Sequence, residues 1–129
     1  MAKRKSINYP GFKHENPIPN ASRIGNIVMS SIISGRDPET GKAPPEAEAQ
    51  IVNIFRQIKL CVEAAGGSVE DIIKVNFWVR DPATGRKALN GEWSKMFPEE
   101  TSRPARHTLA LPANAPNHVT CDFVAVIGG

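Results

Sequence analysis

The run 118–127 constrains this chain most. It alternates as a strand, with Val119, Cys121, Phe123, Ala125 and Ile127 on one face and Thr120, Asp122, Val124 and Val126 on the other. Apart from Thr120 and Asp122, both faces are apolar, so the strand needs cover on both sides. The preceding run, 102–112, alternates as well, with His107, Leu109 and Leu111 opposite Arg106, Thr108 and Ala110. Between them, residues 112–117 are rich in Pro, Asn and Ala and signal a turn. A hairpin centred near Asn114 would set Arg106 across from Asp122 on the same face. An arginine facing a carboxylate among apolar side chains is the most informative pairing the sequence offers.

The spacing predicts a helix over 46–65. Ala47, Ile51, Ile54, Phe55, Ile58, Val62 and Ala65 recur at steps of three and four and form one apolar stripe. Glu46 and Glu48 suit the positive end of the helix dipole, and Gly66-Gly67 stops the helix. A second helix follows 81–85, with Leu89, Trp93, Met96 and Phe97 on its buried stripe, and Pro98 ends it. Strands are expected at 6–9, at 23–34 in two pieces hinged at Gly25-Asn26, and at 72–80. In the last, Ile73, Val75, Phe77 and Val79 face one way and Lys74, Asn76, Trp78 and Arg80 the other. The Asp-Pro-x-Thr-Gly pattern at 37–41 returns at 81–85, a weak internal repeat or shared turn chemistry.

The order is thus strands, helix, strand, helix, strand, strand. Right-handed crossovers put both helices on one side of a single mixed sheet. Two helices cover one face only, so the other must meet something else. In 129 residues, which hold one domain preceded by an arm over 1–20, another subunit is the economical answer. No run of about 18 apolar residues exists, which excludes a membrane helix, and no apolar stretch follows basic Lys3, Arg4 and Lys5 to make a signal peptide. Cys61 and Cys121 lack metal-type spacing and read as small buried residues in a reducing, cytoplasmic setting. The formal net charge of +3 is spread out and does not argue for nucleic acid. His14 and Glu15 read as solvated loop residues, and His107 as a packed histidine.

Several short motifs run in order: Gly25-Asn26 leading to Ser31, Pro38 to Gly41, Val62 to Gly66, Asp71 to Val75, Leu89-Asn90, Pro104-Ala105-Arg106, and Asp122 to Val126. In this order and spacing, over about 24–127, the chain resembles the RidA (YjgF) family of imine deaminases. The resemblance implies an α+β, chorismate-mutase-like fold: a single mixed sheet with two helices on one face, closed into a trimeric barrel with sites between subunits. It also implies hydrolysis of reactive 2-imino and enamine acids to 2-keto acids and ammonia, with no metal or organic cofactor.

By resemblance, Arg106 grips the substrate carboxylate and Asp122 handles the water or proton. Ser31, Ile32, Asn90, Thr108 and Ile18 line the binding pocket. The planar guanidinium suits bidentate carboxylate recognition, and a carboxyl near apolar neighbours suits proton transfer. Four positions depart from the family pattern. Asp122 stands where glutamate is usual, Ile18 about where a tyrosine sits, Ile32 for glycine, and Thr108 for cysteine. Two other readings stand beside the hydrolase: a non-catalytic module that binds keto acids or related carboxylates, and an RNA-acting protein. Arg106 and Asp122 as a plain interfacial salt bridge is the structural alternative.

Overall fold

The structure, a computed structural model, describes residues 3–128. Helix α1 spans Ala47–Ala64. Its stripe packs inward as the periodicity requires: Ile54, Ile58, Cys61 and Val62 are fully buried. The chain leaves α1 through Gly66, whose φ of 94° lies in the left-handed region that glycine tolerates. Gly66 and Gly67 donate their N–H groups to the carbonyls of Glu63 (2.9 Å) and Val62 (3.0 Å), which caps the helix end. Helix α2 spans Pro82–Met96. Asp81 caps it by accepting the Ala83 N–H at 3.2 Å, and proline occupies its first turn. Leu89, Trp93 and Phe97 face the core.

The repeated pattern is shared turn chemistry, not a structural repeat. Around Asp37 it closes a turn, with Gly41 at φ 75° and the Glu39 N–H on Asp37 Oδ1 at 2.8 Å. From Pro82 onward the same residues lie inside α2.

Among the described residues seven strands form one sheet: β1 (Lys5–Ile7), β2 (Ala21–Ile24), β3 (Ile27–Ser30), β4 (Ile33–Ser34), β5 (Ile72–Val79), β6 (Ala105–Ala110) and β7 (Val119–Val126). The order across it is β1-β2-β3-β7-β5-β6, with β4 also pairing β7. Strands β5 and β6 are parallel, joined through α2, and the other pairings are antiparallel. The expected β6–β7 hairpin does not form. Segment 111–118 instead wraps the end of β5, where Leu111 N–H donates to Val79 O at 2.7 Å and Arg80 N–H to His118 O at 3.0 Å. Strand β7 then runs back between β3 and β5. The strand that is apolar on both faces takes the centre, where both its edges are paired.

Val75, Phe77 and Val79 of β5 and Val119, Cys121, Phe123 and Ala125 of β7 lie under the helices, all nearly inaccessible. Each of these valine and phenylalanine side chains contributes about 1.5–3 kcal/mol of burial. Ile73 leaves the face expected for it. The β5–β7 register shifts between Ile72 and Lys74, so Ile72 is buried and Ile73 exposed. The opposite face has no cover among the described residues. Ile24, Ile27, Met29 and Val126 stand there 40–57% exposed, in register across β2, β3 and β7.

Candidate functional site

Arg106 lies on β6, at the sheet's edge, and registers with Val75 on the helix-covered face. The aromatic stripe of α2 fixes it. Its guanidinium carbon sits 5.1 Å from the Trp93 ring centre and 6.0 Å from that of Phe77. One nitrogen, Nη2, donates to Asn90 Oδ1 at 2.9 Å. Asn90 lies one helical turn before Trp93, so α2 supplies both supports. The remaining guanidinium N–H groups find no partner among the described residues, a fork ready for a carboxylate. Partial burial, then the Arg86 charge, lower the pKa of Arg106, but a guanidinium stays protonated across the working range. The attraction to the indole face is worth about 0.5–1 kcal/mol at such a site. Thr108 lies two residues along β6 on the same face.

Asp122 lies elsewhere. It registers with Asn76 on the uncovered face, so the sheet itself separates it from Arg106. The expected same-face pairing of the two is therefore absent within one chain, because β5 stands between β6 and β7. No salt bridge joins them among the described residues. The partner of Asp122 is Asn76, whose Nδ2 donates to Oδ1 at 2.9 Å. Next to it the sheet is irregular. Met29 pairs with Val124 and Ile33 with Cys121, so Ser30, Ser31 and Ile32 oppose only Asp122 and Phe123. Ser30 Oγ accepts the Phe123 N–H at 2.9 Å within this bulge. Ser31 Oγ donates to Pro19 O at 2.8 Å, which ties the bulge to the arm beside exposed Ile18, and Ile32 is exposed too.

The candidate residues thus fall into two separate groups. Arg106, Asn90 and Thr108 form one, at the β6 edge. Asp122, Ser31, Ile32 and Ile18 form the other, around the β3–β4 bulge. Sequence reasoning missed Asn76 and Trp93 as supports. Alternation placed Asn76 on the same face as Lys74, but only the register shows that it meets Asp122. His107 is exposed rather than packed, on the open face, with Nε2 3.4 Å from Lys74 Nζ. His14 is half-buried rather than solvated. It stands edge-on to Phe12 at 4.8 Å, and burial, then Arg36, lower its pKa. It shares with Ile18 a cavity of about 530 Å³ in the arm.

Burial raises the Cys61 thiol to about 12, and Cys121 goes up as well, by burial and then by the Asp122 charge, so neither supplies a ready thiolate. Among the described residues no cluster of three or more His, Cys, Asp or Glu could hold a metal ion. No helix is long and apolar enough to cross a membrane among those residues.

Known proteins resemble this chain in sequence and in fold. The family model described as Endoribonuclease L-PSP matches residues 12–125. A RutC family protein of Aquifex aeolicus is 32% identical over 85% of this chain and 88% of its own. The 2-iminobutanoate/2-iminopropanoate deaminase of Escherichia coli is 30% identical over 80% of both chains. The crystal structure of E. coli TdcF with bound serine superposes with a TM-score of 0.85 at 25% identity, covering 96% of this chain and 99% of that one. With most of its length matched by the family model and relatives at this identity, the chain belongs to the Endoribonuclease L-PSP family, the RidA deaminases and their relatives.

Proposed function

We propose that this protein hydrolyses 2-imino acids, or the enamines that tautomerise to them, to 2-keto acids and ammonia. The supporting observation is the Arg106 guanidinium, held from one side by Trp93 and Asn90 with most of its fork free. That is an anchor for a planar carboxylate conjugated to a C=N bond. The relatives named 2-iminobutanoate/2-iminopropanoate deaminase and Reactive Intermediate Deaminase A support the same reading. Residues of this chain perform the chemistry in three steps. Arg106 binds the carboxylate in two parallel hydrogen bonds. Asp122 orients a water and takes its proton as the water oxygen bonds to the imine carbon, with the C=N π electrons moving to nitrogen. That proton passes to nitrogen to give the carbinolamine, and Asp122 then carries the hydroxyl proton to nitrogen as well, so that the C–N bond breaks, its electrons leave with ammonia, and the C=O bond of the keto acid forms. The step is redox-neutral and balanced by one water.

Arg106 and Asp122 lie on opposite faces, so the site is built from two copies. The β6 edge of one copy, carrying Arg106, lies over the open face of the next, carrying Asp122, Ser31 and Ile32. Such a head-to-tail contact closes into a ring, here a homotrimer. Its apolar seam is the exposed group Ile24, Ile27, Met29 and Val126. The buried, protonated thiols are at home in the reducing cytoplasm.

The test is to generate 2-imino acids in situ with an amino acid oxidase and follow their decay with and without the protein. Acceleration lost in Arg106→Ala supports the reading. No acceleration across several side chains, or full activity in Arg106→Ala, contradicts it. Keto-acid binding that depends on Arg106 without turnover would leave a binding module instead.

A further inference from the structure

We propose that Asn76 is a positioning residue for Asp122, and that the lengths of the two side chains are matched to each other. The proposal rests on the hydrolytic reading above. An aspartate on β7 lies nearer its own backbone than a glutamate would and has one torsion fewer with which to aim. Asn76 stands directly across from it in the β5–β7 register and donates Nδ2–H to Oδ1 at 2.9 Å. One carboxylate oxygen is thereby occupied and the carboxylate plane is fixed. Oδ2 has no protein partner among the described residues and is the oxygen free to hold water.

The neighbourhood gives no other group this task. On the open face the basic side chains flanking the pair on β5 and β6 are Lys74 and His107. These two approach each other at 3.4 Å, and neither bonds to Asp122. The β3–β4 bulge offers Ser30 and Ser31, but the Ser30 hydroxyl receives the Phe123 N–H and the Ser31 hydroxyl donates to Pro19. Cys121 is adjacent in sequence but points to the opposite face. Asn76 also lies half-buried on an otherwise well-paired central strand, which holds its backbone rigid. A group aimed by one hydrogen bond from a rigid strand is sensitive to side-chain length at both ends.

The experiment is a double-mutant cycle on the full chain, read as kcat and KM for an imino acid generated in situ. Asn76→Leu, close in volume but without the donor, lowers kcat about tenfold while KM changes less than about twofold, since Arg106 does the binding. Asp122→Glu alone and Asn76→Ser alone each lower kcat. Combined, the longer carboxylate and the shorter donor recover most of it, so the two effects are not additive. Thermal melts and oligomer mass confirm that each variant is folded. Equal kcat in Asn76→Leu and wild type overturns the proposal, and so do additive losses in the cycle. A loss confined to thermal stability overturns it too. An inactive wild type overturns the hydrolytic reading and this one with it. An active, Arg106-dependent wild type with an indifferent Asn76 overturns this one alone.

Discussion

Arg106 and its two supports make the sharpest predictions at the scale of single residues. Arg106→Lys keeps the charge but loses the planar fork and the stacking on Trp93. KM for imino or keto acids should rise about tenfold or more, measurable by steady-state kinetics or calorimetric binding. An unchanged KM would mean that only the point charge matters. The buried thiols give a second prediction, for stability. Cys61 titrates near 9.0 when unfolded and about 12 when folded. Its folded pKa is raised, so its contribution is intact below pH 9.0 and is lost as pH climbs towards 12. Over that window the unfolded chain releases a proton that the native one keeps. Urea midpoints should therefore fall between about pH 8 and about pH 10.5, and fall less in Cys61→Ala, where one such group is gone.

Among the elements, α1 shows where pattern reading stops. Its apolar stripe was legible from spacing alone, and so were its glycine stop and the aromatic stripe of α2. Its buried polar flank was not. Gln50, Asn53 and Gln57 are buried, and Gln57 binds three partners: the carbonyls of Gly11 (3.2 Å) and Arg36 (2.9 Å) and the hydroxyl of Tyr9. Glutamine is usually exposed, and nothing in the sequence marks the carbonyls it serves. Gln57→Leu should cost about 3 kcal/mol in equilibrium unfolding, because those groups stay buried without partners. A change under about 0.5 kcal/mol would show that water replaces them. The misplaced hairpin has a different origin. Residues 112–117 signal a turn truthfully, but a turn does not say which strand lies beyond it. The β5–α2–β6 unit carried the missing information. A crossover helix joins parallel neighbours, which seats β6 beside β5 and leaves the centre for β7. Alternation therefore assigned the faces of Arg106 and Asp122 within each strand correctly, while their relation to each other depended on topology.

For the whole molecule, the proposed assembly and the proposed site both rest on the uncovered face. The sequence implied such a face by counting helices against apolar strands, and Ile24, Ile27, Met29 and Val126 stand on it in register. Charge placed there should break the assembly. Met29→Glu is expected to shift the mass by light scattering from three chains to one, with activity lost alongside. A monomeric wild type, or a Met29→Glu variant that still assembles, would contradict this use of the face. The central claim is that one copy supplies Arg106 and the next supplies Asp122, and mixing inactive partners tests it most directly. Arg106→Ala and Asp122→Asn chains, unfolded together in equal amounts and refolded, should regain about a quarter of wild-type imine hydrolysis. Random head-to-tail pairing leaves that share of sites with both groups intact. No recovery in verified mixed oligomers would place both residues in sites of a single chain and contradict the account.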